Sequence, residues 1–313
     1  MDMNELMVKA AWLYHVEGLT QAQIAERMNL TRRRVNELLS AASATGLVRV
    51  TFTSPLAENV ELEGALCEAF GLDDAAVVST PEDQGLLHAV LGRAAAAFLD
   101  RIIEVRQPRS IGVGWGATLR QTVQHMTRRQ MPHLEVCSMM GGLTRGAEIN
   151  TFDIVRNFAE LLGAKCHYFA APIYADSEGS RNLIVAQPVF RELLEKAASV
   201  DLSVLSVGDA TAKSLQVKYG LPAGADIREL AASGAVGDLL GRYIDEEGQP
   251  VRHPLNGQVI SPDLEDYRKV ETRIIASGGT HKRRVIAASL GGKLATALVT
   301  DADTARWLLS RGR

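Results

Sequence analysis

The chain is poor in the features that mark secreted, membrane and metal-binding proteins. Its 313 residues include only three cysteines, Cys67, Cys137 and Cys166, and none has a metal-ligand spacing. We therefore expect free thiols in a reducing compartment and no metal site. The N-terminus lacks a basic start followed by a long apolar run, which argues against a signal peptide. No stretch approaches the roughly 20 apolar residues that span a bilayer, so the sequence predicts a cytoplasmic protein.

Aromatic residues and net charge are also scarce. Aromatics make up 5% of a chain that is 46% hydrophobic, and this balance favours helices and α/β layers over an all-β sandwich. The formal net charge is only −3, so any contact with nucleic acid would need a local basic face. A length of 313 residues exceeds the usual size of one compact domain and predicts two.

Residues 3–50 have the pattern of a compact helical unit. Thr20 is placed to cap the helix TQAQIAERM, and Gln23 follows three residues later in a capping-box arrangement. After a short turn, Thr31 is placed to cap a further helix that begins RRRVNELL. Two short capped helices joined by a tight turn predict a helix-turn-helix, whose second helix can lie in the major groove of DNA.

The first turn of that second helix carries side chains suited to DNA. Arginine can pair bidentately with guanine and asparagine with adenine, while other arginines hold phosphates. A solvated basic helix start is the alternative, because residues 1–53 carry six basic and five acidic residues. Placement favours DNA binding, since three of the six positive charges lie in this one turn. The residues predicted to contact DNA are Thr20, Gln21, Thr31, Arg32, Arg33, Arg34 and Asn36.

The remainder of the chain predicts an α/β domain. The segment TSPLAEN, residues 53–59, fits neither the helical nor the strand periodicity of apolar residues. It suggests a boundary between domains at 1–53 and 54–313. From about Asp74 onward, apolar strand patterns alternate with helical segments. That alternation predicts a doubly wound, largely parallel sheet covered by helices. The predicted strands are AAVVS, SIGVG, LEVCSMM, CHYFAA, LSVLSV, RIIAS and ATALVT.

The stretch SIGVGWGATL, residues 110–119, places three alternating glycines between a strand and a helix. It fits the dinucleotide pattern G-x-G-x-x-A, but no acidic residue closes the next strand, and Trp115 stands where a pyrophosphate needs close backbone approach. We therefore reject a nucleotide and expect no cofactor. The loop can instead offer Gly114, Gly116 and the Thr118 hydroxyl to a phosphate or a sugar hydroxyl. Trp115 either packs on the ligand's carbon face or belongs to the core.

A second group of polar residues follows other strands. Lys282 lies just after a strand in GGTHKRRV, and Asp301 ends the last strand in TDADTA. Ligands of open α/β sheets collect at these carboxyl ends, where an ammonium and a carboxylate can bind hydroxyls or phosphate. Lys282 could equally be a solvated charge, and Asp301 could cap the following helix. Asp209 and Asp238 are weaker candidates, because aspartates after strands and glycines usually belong to turns.

Five segments follow one another in a recognisable order: AAWLYHVEGLTQAQIAERMNLTRRRVNELL, SIGVGWGATL, MMGGL, GAVGDLLGRYIDEEG and ASGGTHKRRVIAASLGGKLATALVTDADTARWLL. Together they resemble the SorC (sorbitol-operon-type) family of transcriptional regulators over nearly the whole chain. The resemblance implies a helix-turn-helix joined to a sugar-binding domain similar in fold to sugar-phosphate isomerases and deaminases. It also implies a homo-oligomer, commonly a tetramer, that senses sugars, polyols or their phosphates. Asn36 and Glu37 stand where relatives often carry serine and arginine, which alters the expected operator sequence.

The resemblance also makes Asn150 a hydroxyl contact, for which an N-cap is the competing role. Taken together, the sequence predicts a DNA-binding regulator of a carbohydrate or polyol catabolic operon, controlled by a sugar, polyol or sugar phosphate, and not an enzyme. A sugar-phosphate isomerase or deaminase is the alternative, since Asp301, Asp209 and His281 could serve as acid and base. No motif fixes such a pair, and kinship of fold does not carry activity. A DNA-binding protein controlled by a partner instead of a ligand is the third possibility.

Overall fold

A computed structural model describes residues 3–48, 56–143, 151–211, 214, 216–217, 221–222 and 225–311. The chain divides into two compact units, residues 1–54 and 55–313. Within the described ranges, no helix is long and apolar enough to cross a membrane. The same ranges contain no cluster of three or more histidine, cysteine, aspartate or glutamate side chains able to hold a metal ion.

The first unit is a bundle of three helices, α1 (Met3–His15), α2 (Gln21–Met28) and α3 (Arg32–Ala44). The predicted capping box is present at α2: the Gln23 N–H donates to Thr20 Oγ1 at 3.3 Å, and the Thr20 N–H donates to Gln23 Oε1 at 2.9 Å. Asn29 ends α2 with a φ of 53°, a left-handed conformation that asparagine tolerates. The helices enclose a small apolar core of Ala10, Ala11, Leu13, Ile24, Ala25, Val35, Leu38, Leu39 and Ala42.

The second unit alternates strands and helices. Its elements in chain order are α4 (Leu56–Phe70), β1 (Asp74–Val78), α5 (Leu87–Arg106), β2 (Ser110–Val113), α6 (Ala117–His125), β3 (Glu135–Ser138), α7 (Thr151–Leu162), β4 (Lys165–His167), α8 (Glu178–Val185), α9 (Pro188–Ala198), β5 (Leu202–Leu205), β6 (Gly208–Asp209), α10 (Ile227–Ala232), β7 (Gly237–Leu239), β8 (Arg242–Ile244), α11 (Pro254–Gln258), α12 (Leu264–Tyr267), β9 (Thr272–Ala276), α13 (Arg283–Gly291), β10 (Ala297–Asp301) and α14 (Ala302–Arg311). Two 3₁₀ turns, Gln84–Leu86 and Thr280–Lys282, precede α5 and α13.

All seven predicted strands join one parallel sheet, in the order β1-β10-β9-β5-β2-β3-β4. The strands β5 and β10 are buried along their whole length, as expected for a parallel sheet with helices on both faces. From β2 the chain proceeds outward to β3 and β4, and it then returns to β5 on the other side of β2. The strand order therefore reverses between β2 and β5, which is where open α/β sheets form a crevice.

A small antiparallel sheet of β6, β7 and β8 was not predicted. Its strands have two or three residues each, too few to show an alternating pattern. In this sheet Gly208 pairs with Asp238, and a Cβ at position 208 would lie 2.1 Å from Asp238 Oδ1. Glycine is therefore required for the two strands to approach with this carboxylate between them.

Asp301, at the end of β10, ties three segments together. Its carboxylate accepts hydrogen bonds from the Gly279 N–H at 2.8 Å, the Thr80 hydroxyl at 3.1 Å, and both the N–H and the hydroxyl of Thr304 at 3.0 and 2.7 Å. These donors lie in the loop after β9, the loop after β1 and the first turn of α14. The side chain is only 1% exposed. Of the two roles open from the sequence, the structure shows the helix cap.

We predict that Asp301→Ala lowers the free energy of unfolding by about 2–5 kcal/mol, because it leaves buried donors without an acceptor. Urea unfolding followed by circular dichroism measures the loss. Asp303→Ala is the matched control, since Asp303 is exposed on the same helix and its ion pair with Arg306 contributes about 0–1 kcal/mol. Equal losses for the two variants would contradict a structural role for Asp301.

Candidate functional site

A cavity of about 120 Å³ lies at the carboxyl ends of β2 and β5, where the strand order reverses. Its walls come from two loops that leave neighbouring strands: residues 114–117 after β2 and residues 206–209 after β5. Further walls come from Asp238 on β7, the 3₁₀ turn before α13, and one side chain of α5. The volume is small against the roughly 300–1,000 Å³ of pockets for drug-sized ligands. The site therefore suits a small molecule.

The glycine loop forms the wall next to α6. The Gly114 N–H donates to the Val204 carbonyl at 3.0 Å, and a Cβ at position 114 would lie 2.9 Å from Leu205 Cδ2. Gly116, the N-cap of α6, has a φ of 125°, which side-chain-bearing residues rarely adopt. Trp115 is half-buried, lines the cavity and packs against the apolar core. Both roles proposed for this indole are thus compatible with its position.

Thr118 lies behind the cavity wall. It is 1% exposed, and its Oγ1 is 3.0 Å from Nδ1 of His88, which lines the cavity. Burial, together with the nearby charges of Lys282 and His281, lowers the pKa of His88 to about 4. The imidazole is therefore neutral at neutral pH. Thr118 contacts His88 directly. Nothing in the sequence pattern of α5 distinguishes His88, so it was not predicted.

Asp209 and Lys282 form part of a charged group in the cavity. Asp209 is 4% exposed; its Oδ1 accepts from the N–H and the hydroxyl of Thr211, and its Oδ2 lies 4.0 Å from Nε2 of His281. Lys282 lies in the 3₁₀ turn directly before α13. Burial lowers the pKa of the Lys282 ammonium, while the charges of Asp209 and Asp238 raise it.

Asp238 completes this group and has spare acceptor capacity. It is 4% exposed, and its Oδ2 accepts from the Gly241 N–H at 3.2 Å. Its Oδ1 is buried and has no hydrogen-bond partner among the described residues. Burial raises the pKa of this carboxyl to about 7, although the Gly241 N–H and Lys282 act in the opposite direction. A buried acceptor without a donor is costly, so the site favours a ligand that donates.

The structure thus brings six of the predicted effector residues to one cavity: Gly114, Trp115, Gly116, Asp209, Asp238 and Lys282. Asp301 does not line it, and Asn150 lies outside the described residues. The loop from Ser206 to Gly208 was missed. The only sequence feature that points to this loop is that it follows a strand, as the glycine loop does. That the two strands, β5 and β2, are neighbours is known only from the strand order of the sheet.

The predicted DNA-binding residues surround the start of α3. Thr31 caps the helix by accepting from the Arg34 N–H at 3.2 Å. Arg33 and Arg34 both pair with Glu37, at 3.1 and 3.0 Å, and both arginines lower the pKa of that carboxyl. Surface ion pairs of this kind contribute about 0.2–1 kcal/mol. Phosphate groups can therefore replace Glu37 as partner at little cost.

Two more of these residues join α2 to α3. The Gln21 amide donates to Asn36 Oδ1 at 3.4 Å, so a side chain from each helix stands at the same exposed edge. Arg32 is exposed, and within the described part of the chain it forms no ion pair. The arrangement presents positive charge and amide groups together at the N-terminus of the second helix, as direct readout of DNA requires.

Comparison with known proteins relates both units to one group of proteins. Residues 54–310 match the family model described as "Putative sugar-binding domain". The erythritol catabolism regulatory protein EryD of Brucella abortus is 31% identical, over 98% of this chain and 97% of that protein. The deoxyribonucleoside regulator of Bacillus subtilis is 29% identical, over 99% and 98%. The crystal structure of the full-length sorbitol operon regulator SorC from Klebsiella pneumoniae has a TM-score of 0.74 at 27% identity, over 97% and 98% of the two chains.

A helix-turn-helix followed by a sugar-binding α/β domain defines a class of transcriptional regulators. The chain belongs to the SorC/DeoR-type members of that class, which carry this sugar-binding domain. The family resemblance and the fold class expected from the sequence are confirmed. The relatives are regulators, so the preference for a regulator over an isomerase or deaminase is also confirmed.

We predict that Asp238→Asn stabilises the ligand-free protein more at pH 8 than at pH 5. The pKa of Asp238 is about 7 in the folded state, against an ordinary value of 3.8, so the folded state keeps a proton that the unfolded chain releases between these values. Stability contributed by this group is therefore lost as the pH rises from about 4 to 7, whereas the amide of the variant does not titrate.

Thermal unfolding across this pH range measures the difference between variant and parent. Asp266→Asn is the control, because Asp266 is exposed and pairs with Lys269 at the surface. A difference in midpoint temperature that stays constant from pH 5 to pH 8 would be inconsistent with the raised pKa of Asp238.

Proposed function

We propose that this protein regulates an operon for carbohydrate or polyol catabolism and that a sugar, polyol or sugar phosphate in the cavity controls its binding to operator DNA. The observation that carries the proposal is the position of the cavity, at the strand-order reversal of a domain that follows a helix-turn-helix. Relatives named for erythritol catabolism and for a sorbitol operon support this class of operon. The protein works in the cytoplasm, where its DNA is.

At the DNA, the first turn of α3 enters the major groove. The side chains that face base edges and phosphates are those of Arg32, Arg33, Arg34 and Asn36. Arg33 and Arg34 exchange their ion pairs with Glu37 for contacts with DNA. Thr20, Gln21 and Thr31 hold the helix starts, whose N–H groups favour phosphate. This assignment is supported by the exposure of the turn, since the side chain of Arg33 is 91% exposed.

In the cavity, Gly114, Trp115 and Gly116 form the wall next to α6. The N–H of Gly114 is bonded to the Val204 carbonyl, so the loop offers the ligand its following N–H groups, and Trp115 packs on the ligand's carbon face. Asp209, Asp238 and Lys282 bind its polar groups. Thr118 acts through His88, which its hydroxyl contacts. Asn150 is retained as a proposed hydroxyl contact because of the family resemblance.

Useful affinity for an operator requires helix-turn-helix units in pairs, so the functional form is a homo-oligomer, and we infer a tetramer. Effector binding shifts the arrangement of subunits and with it the spacing between DNA-binding units. A typical coupling free energy of about 1–3 kcal/mol would change operator affinity by 5- to 150-fold or so. Light scattering after size exclusion tests this, because a monomer at micromolar concentration leaves no route for the coupling.

We predict that the double variant Arg33→Ala/Arg34→Ala loses operator affinity by about 100-fold or more, since each base or phosphate contact is worth about 1–3 kcal/mol. The dependence of log K on log salt should also flatten by roughly 0.9 for each lost phosphate contact. Fluorescence anisotropy on DNA from the protein's own upstream region measures both quantities.

Two further variants make that measurement specific. Glu37→Gln removes the carboxylate that competes with DNA for both arginines, so it should strengthen binding. Arg228→Ala removes an exposed arginine of the other unit, whose ion pair is with Asp226, and should have no effect. Unchanged affinity of the Arg33/Arg34 double variant, with its fold intact by circular dichroism, would rule out this surface as the DNA-binding site.

The same anisotropy assay, run with polyols, sugars and sugar phosphates, tests effector control. We expect at least one compound to shift the DNA-binding curve, and Asp238→Asn to weaken that shift while leaving DNA affinity without ligand unchanged. Operator binding that no compound alters would instead favour control by a partner protein. Turnover of ribose 5-phosphate or glucosamine 6-phosphate would favour the enzyme alternative.

A further inference from the structure

The described lining of the cavity has no surplus of positive charge. Lys282 is its only lysine, no arginine belongs to it, and the two carboxylates of Asp209 and Asp238 face that single ammonium. His88 is neutral at neutral pH because burial holds its pKa near 4, and the remaining histidine, His281, lies beside Asp209. Lys282, Asp209 and Asp238 alone have a net charge of −1 when both carboxylates are ionised and of zero when Asp238 is protonated.

A phosphate ester would enter this environment with a charge of about −1.5 to −2. The N-terminus of α6, which begins at Gly116 and Ala117 in the cavity wall, contributes only about half a positive charge. Lys282 is already shared between two carboxylates. The electrostatic balance within the described lining is therefore against a dianion, because like charges brought together at close range are repelled and poorly solvated.

The hydrogen-bonding capacity of the cavity also favours an uncharged hydroxylated ligand over a phosphate. Asp238 lines the cavity and is only 4% exposed. No described residue donates a hydrogen bond to its Oδ1. A carboxylate accepts and does not donate, so its ligand partner must carry a donor. A hydroxyl group donates and accepts, whereas a phosphate dianion only accepts. The Oδ1 of Asp238 is thus matched to a hydroxyl group and not to a phosphate group.

We propose that the cavity selects an uncharged polyhydroxylated ligand, a free polyol or sugar, and discriminates against its phosphate ester. The inference rests on the proposed function and narrows the class of effector. Asp209 and Asp238 are the specificity-determining residues. Lys282 keeps one of the two carboxylates neutralised, and the glycine loop supplies N–H donors to the hydroxyl oxygens.

Isothermal titration of the full-length protein at pH 8 tests the selection with matched pairs: erythritol, ribitol and sorbitol, each against its terminal monophosphate. At this pH the phosphate groups are dianions. We expect at least one free polyol to bind, and to bind at least tenfold more tightly than its ester, which corresponds to about 1.4 kcal/mol. An ester that binds as tightly as its parent polyol, or more tightly, overturns the proposal.

The double variant Asp209→Asn/Asp238→Asn tests the cause of the selection. It keeps the shape of both side chains and removes both negative charges, so the ratio of ester to polyol dissociation constants should fall by at least tenfold. The double variant Asp266→Asn/Asp303→Asn is the control, because both side chains are exposed and pair with surface cations, and it should keep the parent ratio. A parent-like ratio in the cavity variant overturns the proposal. A general loss of stability would weaken the binding of both ligands by the same factor, so a fall in the ratio reports the lost charges and not a damaged fold.

The outcomes also separate this inference from the proposed function. If an ester binds more tightly than its polyol and shifts operator binding, the protein is a sugar-responsive regulator and only the proposed selection fails. If no member of a panel of free polyols and sugars or their esters binds, while operator binding persists, the selection and the effector control both fail.

Discussion

The reversal of strand order between β2 and β5 is the constraint on which the site depends. Because the chain leaves these neighbouring strands toward opposite edges of the sheet, their carboxyl ends are not covered by a common crossover. The loops that follow meet there at close range. A Cβ on Gly114 would press on Leu205, and one on Gly208 would overlap with Asp238. The glycines of the site are therefore required by close packing of backbone against neighbouring side chains, and only Gly116 is required for its positive φ.

The sequence predicted the strands because strands buried on both faces appear as short, continuous apolar runs. It did not predict their order, since such a run records how deeply a strand is buried and not which strand lies beside it. The helix-turn-helix was predicted in detail, because the capping of α2 by Thr20 and Gln23 depends on residues three apart in the chain. The strands of the small sheet, such as Gly208–Asp209, are too short for any period to show.

The sequence predicted polar residues at or after the ends of strands as site residues. It did not distinguish those that line the cavity from those that cap a helix. Lys282 follows β9 and Asp301 is the last residue of β10. Yet Lys282 lines the cavity, whereas Asp301 is buried and accepts four hydrogen bonds. A polar residue there can bind a ligand or cap a helix, and only its burial and partners decide. His88 has no such signal, because the turn of α5 that reaches the cavity is fixed by packing between distant segments. The DNA contacts stay a prediction.

Under the proposed function, the Asp238 oxygen that accepts no hydrogen bond from the described residues links the cavity to regulation. A buried acceptor that loses its donor costs about 1–3 kcal/mol, and a typical allosteric coupling is also about 1–3 kcal/mol. One hydroxyl that satisfies this oxygen would therefore supply enough free energy to shift an equilibrium between two arrangements, provided that only one of them holds the carboxylate in this position. Asp238 is suited to that role because β7 carries it, and β7 is paired through Gly208 to the loop that leaves β5. If the effector binds Asp238 as proposed, a change in that contact would therefore reach β5 through the pairing of β7 with Gly208.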